Sequence, residues 1–307
     1  MNTAYRKFYR SFFARTHGFI PAKPLNHHTY PGDFFQIRGG EMFFIGNIFT
    51  SGIVDPEKAI FEHGIRQNPE GWHFGDGVSK PYCGRGTGHS ALEGEFEFSK
   101  QILAFESQGS FLFRAHEPES VKIANWSALQ NELILKLTQT HHSFRDLYLV
   151  TETASTSDWT LAVSGGVNGE LEIATDAQNY GLTDIFGDAA TKTIQSKDIE
   201  YYFRESKRRP CFFRAKKLIV QQEKIEVIVE ELISQRSLQN EWAADFYDFK
   251  FHHNLPVYAA PFSHAAQASV LDLLPGNQLN PNTALAYFKW TDANAEDIEK
   301  LFPNYGV

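Results

Sequence analysis

Apolar and polar positions alternate along this chain with two different periods. Aromatic residues recur at Tyr5, Phe8, Tyr9, Phe12 and Phe13, a 3.6-residue stripe that predicts an amphipathic helix over 4–16. Arg6, Lys7 and Arg10 lie off that stripe and make the opposite face basic. From Gly94 to Ala115 the period is two. Phe96, Phe98 and Ile102 share one phase, whereas Leu103, Phe105, Phe111 and Phe113 fall on the other, around a polar break at 106–110. This predicts strand, bulge or turn, strand. Trp159, Leu161 and Val163 alternate with Thr160, Ala162 and Ser164, a Gly-rich passage follows at 165–169, and Leu171 and Ile173 read as the return strand of a second hairpin-like unit.

The rest of the chain fills in around these regions. Asp33–Arg38 and 41–49 flank Gly39-Gly40, a β-hairpin signature. Leu129, Leu133, Ile134 and Leu137 give 124–140 one apolar helical face. Leu147–Thr151, Ile199–Phe203 and Pro210–Val220 predict strands. The stretch 67–90 is rich in glycine and poor in aliphatics and predicts a loop; 56–64 predicts a short helix, and 176–196 an irregular segment. The texture changes near residue 234. A Pro/Gly/Asn cluster at 274–283 predicts an exposed loop, after which Thr283 caps a helix carrying Leu285, Tyr287 and Phe288. A second helical pattern over 292–302 ends on Ile298, Leu301 and Phe302.

The expected fold class is therefore α+β, a twisted and mostly antiparallel β-sheet with flanking helices. The expected organisation is residues 1–233 (helix 4–16 and a sheet core over 33–230), followed by a C-terminal extension, 234–307. Strands of about ten residues, apolar on one face, have two homes: a half-buried sheet, or a β-barrel wall of about 9–11 residues per strand in a bilayer.

Composition narrows the choice. Apolar residues make up 42% of the chain and charged residues 21%, which places it among folded globular proteins. The 27 Phe, 12 Tyr and 5 Trp supply either a large core or an aromatic reserve for a membrane. A net charge of −8 argues against a nucleic-acid partner. Two cysteines, Cys83 and Cys211, argue against a disulfide scaffold and for a reducing compartment. No apolar run reaches the 18 residues of a transmembrane helix, and basic residues interrupt any signal-peptide core, so a cytoplasmic protein is expected.

Catalytic readings are thinner. Histidine pairs at 27–28, 141–142 and 252–253 lack a zinc-ligand spacing, so no metal and no cofactor is expected. Cys83 to Ser90 places a thiol, an arginine and a histidine in one glycine-rich run that reads best as a surface loop. Glu93, Glu95 and Glu97 form the Glu-x-Glu pattern of ADP-ribosyltransferases, without that pattern's nicotinamide-binding residue. A soluble enzyme of that type, or a ligand-binding module, is the alternative reading.

Taken in order, Gly94–Ala115, the helix 124–140, Asp146–Glu152, Trp159–Ile173 and Pro210–Leu218 resemble the pore-forming gasdermins, and the bacterial members more than the animal ones. The resemblance covers about residues 33–220. It implies a non-enzymatic, autoinhibited, cytoplasmic protein in which a protease removes a C-terminal inhibitory segment. The freed domain binds membrane lipids, forms a homo-oligomer, and refolds two regions into hairpins of a β-barrel pore. In bacteria this is an antiphage, cell-killing defence acting at the inner membrane. Transferred here, the implied membrane-binding residues are Arg6, Lys7, Phe8, Arg10, Phe12 and Phe13. The implied inserting hairpins lie at 92–115 (Phe96, Phe98, Ile102, Phe105, Phe111, Phe113) and 156–175 (Trp159, Leu161, Val163, Leu171, Ile173). The implied inhibitory contacts are Leu285, Phe288, Ile298, Leu301 and Phe302. Two features depart from the bacterial pattern: no cysteine precedes Cys83, and a long extension follows Val220.

Overall fold

A computed structural model describes residues 3–90, 94–138, 147–176, 192–221, 284–286 and 288–303. The fold is α+β, with antiparallel sheets and a few helices. Helix α1 (Thr3–Arg15) leads into β1 (Ile20–Pro21), β2 (Asp33–Arg38), β3 (Glu41–Asn47), β4 (Phe61–Arg66), β5 (Trp72–Asp76), β6 (Val78–Ser90), β7 (Gly94–Phe105), β8 (Phe111–His116) and β9 (Glu119–Ile123). Helix α2 (Trp126–Thr138) precedes β10 (Leu147–Thr156), β11 (Asp158–Ser164), β12 (Gly169–Asp176), β13 (Lys192–Lys197), β14 (Ile199–Glu205) and β15 (Arg209–Val220). The C-terminal segment contributes β16 (Phe288–Asp292) and α3 (Ala295–Lys300).

These strands form three sheets. The first runs β1-β15-β10-β2-β3, with β16 on β15, β9 on β10 and β4 on β9. The second runs β14-β11-β8-β5, and the third β13-β12-β7-β6. The second and third are successive halves of the same four strand paths: β5 continues into β6, β7 into β8, β11 into β12 and β13 into β14.

This overturns several expectations. The stretch 67–90 is not a loop but holds β5 and β6. Trp159–Ile173 is not a hairpin, because β11 pairs with β8 and β14 whereas β12 pairs with β7 and β13. The Gly-rich passage carries the chain from one sheet to the next instead of reversing it; a local turn signal reads the same in both cases. Residues 56–64 hold only a 3-10 turn, Pro56–Lys58, capped by Asp55, before β4. The strand β13 occupies part of 176–196. Residues 284–286 are helical as expected, but Phe288 opens a strand. The segments 222–283 and 177–191, including the 274–283 loop, lie outside the described residues.

Two of the three buried clusters lie on opposite sides of the first sheet. The α1 stripe buries Phe8 and Phe12 completely among Trp72, Phe74, Phe113 and Phe212. The Phe12 ring stacks on Phe212 at 4.9 Å and meets Phe113 edge-on at 5.2 Å. Each such burial contributes about 1.5–3 kcal/mol. On the other side of the first sheet, Leu129, Leu133, Ile134 and Leu137 of α2 pack against Leu147 and Leu149, with Phe288 joining them. At the Gly39-Gly40 turn both residues take positive φ, 57° and 84°, a conformation glycine adopts without steric cost.

Candidate functional site

Among the described residues, a group of ion pairs gathers at the junction of α1 with the C-terminal segment. Helical spacing puts Arg6 and Arg10 one turn apart on the solvent side of α1. Both guanidinium groups donate to the single carboxylate of Glu299 on α3, Arg6 Nε at 2.7 Å. Burial works to raise the Glu299 pKa, but the hydrogen bonds from Arg10 and Arg6 outweigh it and hold the carboxyl below its usual range. Lys7 pairs with Asp76 at 3.1 Å, and Arg6, Lys7, Arg10, Ser11 and Asp76 line an open depression beside α1.

Three further contacts fix the C-terminal segment. Strand β16 extends the β15 edge next to β1, with Leu218 facing Trp290 and Lys216 facing Asp292. Asp297, 1% exposed, accepts hydrogen bonds from the Tyr148 hydroxyl at 2.8 Å and from Lys217 Nζ at 3.0 Å, and its side chain closes a capping box with Asn294. Beyond α3, the Leu301 carbonyl accepts from Lys23 Nζ at 2.8 Å, a cation at the negative end of a helix. Burial pulls the Lys23 pKa down against the pull of Glu41. Phe302 lies under Lys23 at 5.0 Å and against Tyr9 at 5.1 Å.

The bent four-stranded sheet lies under α1. The Phe8 ring sits 5.5 Å from Phe111 and 5.4 Å from Phe113, so α1 covers the apolar face of the second sheet. Beyond the bend, Leu103, Phe105, Leu171 and Ile173 cluster with Ala162 and, at the margin, Leu112 and Tyr202. On the other face of the third sheet Lys100 and Glu172 pair at 2.6 Å beside Ile102.

No protein-family profile matches the sequence, and no curated protein matches it. Among solved structures, the chain is similar to the gasdermin A3 membrane pore seen by electron cryo-microscopy, at 12% identity and a TM-score of 0.31, over 70% of this chain and 90% of that one.

The residues singled out in the sequence fall into separate environments. Phe8 and Phe12 are interior; Phe13 is partly buried; Arg6, Lys7 and Arg10 face outward. Phe111, Phe113, Trp159, Leu161 and Val163 are buried under α1, and Phe105, Leu171 and Ile173 in the cluster beyond the bend. Ile102 is half-buried on the opposite side of β7, and the switch of phase at Ile102-Leu103 faces a bulge in β6 between Ser79 and Tyr82. Phe96 and Phe98 are described as β7 backbone only. Ile298, Leu301 and Phe302 enter the α1 core, Phe288 enters the α2 core, and Leu285 is exposed.

Among the described side chains, the catalytic candidates do not gather into one site. Cys83 is exposed on β6 and Cys211 is buried, its thiol pushed up to about 11 by burial. Glu93, His141-His142 and His252-His253 lie outside the described residues. His27 stacks on Phe44 at 4.0 Å, and burial lowers its pKa. Among the described residues, no helix is long and apolar enough to cross a membrane, which says nothing of strands, and no group of three or more His, Cys, Asp or Glu gathers around a metal-sized site.

Sequence reasoning missed the polar half of the tail contact: Lys23, Tyr148, Lys217, Asp297 and Glu299. A signal existed. The first 32 residues carry no acid, and the complementary acids stand in the short acidic helix led by Asn294.

Proposed function

We propose that this chain is an autoinhibited pore-forming protein whose C-terminal segment is a latch on a basic N-terminal helix. The observation that carries the reading is the double engagement of Arg6 and Arg10 by Glu299, at the place where α1 also covers the sheet that holds the amphipathic strands.

The mechanism follows from that arrangement. Proteolysis in the segment before β16, for which 274–283 is the best sequence candidate, makes the tail a separate piece held only by noncovalent contacts. Its departure frees Arg6 and Arg10, beside Lys7 in its pair with Asp76, for anionic headgroups, worth about 1 kcal/mol per cation near such a surface. Phe8, Phe12 and Phe13 then exchange protein core for the acyl boundary as α1 lies on the membrane. The strands beneath α1 lose their cover, associate between copies, and close a barrel, the only form in which strands satisfy every backbone group in hydrocarbon. The reading requires an activating protease, lipid and a homo-oligomer, and no cofactor; a bacterial antiphage setting is the one that the sequence resemblance suggests.

The test is dye release from vesicles of anionic phospholipid by the full chain carrying a sequence-specific protease site in 274–283. Release after cutting and none before is expected. Cut, folded protein that sheds its tail and releases no dye overturns the reading.

A further inference from the structure

Each of the four strand paths turns between the second and third sheets at one residue held in the left-handed region. On the outer paths that residue stands alone between two strands: Gly77, φ 63°, between β5 and β6, and Asp198, φ 53°, between β13 and β14. On the central paths it is Gly109, φ 77°, between β7 and β8, and Asn168, φ 57°, between β11 and β12. A strand needs a φ of about −120° to −140°. The left-handed residue therefore stops each path from running straight on. Glycine occupies that region without steric cost, whereas asparagine and aspartate tolerate it better than other side chains but still under strain.

The four turns are tied to one another across the sheet. Glu106 N donates to the Gly77 carbonyl at 2.9 Å, which joins the β5–β6 path to the β7–β8 path. Gly109 N donates to the Ser164 carbonyl and Ser164 N to the Ser110 carbonyl, both at 2.8 Å, which joins that path to β11–β12. Gly165 N donates to the Asp198 carbonyl at 2.9 Å, which joins β11–β12 to β13–β14. Ser164 stands at the centre of this chain of contacts. It is fully buried, and its hydroxyl lies 2.8 Å from the Gly166 carbonyl and 3.2 Å from the Asp198 carbonyl. Through its amide, carbonyl and hydroxyl, one residue reaches the turns on both sides of its own.

Packing holds the turns as closely as the hydrogen bonds do. A Cβ on Gly77 would overlap Ser110 Oγ, and one on Gly169 would stand 2.5 Å from Ser164 Oγ and 3.0 Å from the Asp198 carbonyl oxygen. Ser110 is also fully buried, and its hydroxyl oxygen accepts from Ser107 N at 3.2 Å. Gly109 lies against the start of α1, where a Cβ would come within 3.1 Å of the Ala4 carbonyl oxygen. Rotating Gly77 or Asp198 out of the left-handed region swings the carbonyl to which the next path donates. No turn changes without breaking a bond that its neighbour depends on.

We infer that the angle between the second and third sheets is set by one cooperative lock with Ser164 as its hub. The four turns leave the left-handed region together or not at all. Asn168 and Asp198 are the two points at which the lock is strained, so the resting bend is held less firmly than glycine at all four positions would hold it. The lock belongs to the uncut chain. Only its consequence for dye release rests on the pore reading above: once the tail has gone, the lock sets how fast the third sheet separates from the second.

The test is native-state amide exchange of the uncut, full-length chain. Asn168→Gly and Asp198→Gly each relieve strain on a single path, yet each is expected to slow exchange about threefold in β6, β7, β12 and β13 alike. Ser164→Ala removes the hub hydroxyl and is expected to speed exchange about fivefold in the same four strands, with β10 and β15 unchanged. Slowing confined to the strands of the substituted path, or no slowing in either glycine variant, overturns the lock. If Ser164→Ala does not fold, the two glycine variants decide the question by themselves. In the protease-site chain, the same two variants are expected to release dye about threefold more slowly after cutting. Slowed exchange with unchanged release overturns the part of the lock in release. No release from the cut wild type overturns the pore reading, while the exchange results still decide the lock.

Discussion

The carboxylate of Asp297 receives the Lys217 ammonium at 3.0 Å on both of its oxygens, inside a site from which water is almost excluded. The contact joins α3 to the strand that β16 also extends, so the tail is held through side chain and backbone at neighbouring points. Removing one member of a buried pair leaves the other without compensation, which costs about 3–5 kcal/mol. Asp297→Ala is expected to lower the thermal midpoint and to speed amide exchange in Phe288–Asp292 and Ala295–Lys300 above all. Exchange that rises equally throughout the molecule would show that Asp297 serves general stability and not the tail.

The turn at Gly40 supports the same segment from the other side. A Cβ there would stand 2.8 Å from Pro303 Cδ and 3.2 Å from the Leu301 carbonyl oxygen, at a φ of +84°. Gly52 has a similar φ of +70° with nothing within 4 Å. Gly52→Ala therefore measures backbone strain alone, on the order of 1–2 kcal/mol. Gly40→Ala is expected to cost more in a denaturant titration, and to loosen the tail in exchange measurements where Gly52→Ala does not. Equal costs would mean that the turn does not press on Pro303.

The two patterns easiest to read in the sequence were those whose cause is local. The Tyr5–Phe13 stripe needs only helical geometry, and the Gly39-Gly40 hairpin only the positive φ of two glycines. Strands β5 and β6 were missed because they are strands by virtue of partners far along the chain. Gly75 passes beneath Leu112, and Gly84, Gly86 and Gly88 pair with β7 although glycine has no preference for strands. The passage 165–169 carries the turn chemistry of a hairpin, and only the long-range register of β11 and β12 makes it a bend. The apolar half of the tail contact was visible in Ile298, Leu301 and Phe302, whereas the pairing of Glu299 with Arg6 and Arg10 joins opposite ends of the chain and has no local signature.

Glu152, on β10, is buried like Asp297. Its carboxylate accepts from Ser120 Oγ at 2.5 Å, Gln67 Nε2 at 3.0 Å and Arg214 Nη1 at 2.9 Å, where β10 passes from β2 to β9. The Arg214 guanidinium lies over the Phe19 ring at 4.2 Å. Glu152→Ala removes the carboxylate partner of a cation that is 34% exposed and also donates to the Thr16 carbonyl, and is expected to cost about 1.5–3 kcal/mol. Removing the cation as well, in Glu152→Ala with Arg214→Met, should recover a large part of the loss, giving a coupling of 0.5–3 kcal/mol in a double-mutant cycle, roughly the range for contacting residues. Additive losses would show that the two side chains act separately.

The pH dependence of the latch follows from the sign of the Glu299 shift. The folded carboxyl titrates below its ordinary value of 4.5, because Arg10 and Arg6 stabilise the anion more than burial opposes it. The unfolded chain therefore binds a proton at a higher pH than the folded chain does. The contribution of Glu299 is complete above the ordinary value and is lost as pH falls through the lower, folded one. The side chains are partly exposed, 31% and 54% for the arginines and 30% for Glu299, so screening keeps the effect to about 1 kcal/mol or less. Other carboxyl groups titrate in the same range, so the informative quantity is the stability difference between the wild type and Glu299→Gln. That difference is expected to be flat from pH 7 to 5 and to shrink towards pH 3, and to be smaller at high salt. A difference that stays constant down to pH 3 would mean that Glu299 holds the tail by packing, and that the arginines of α1 are not what it restrains.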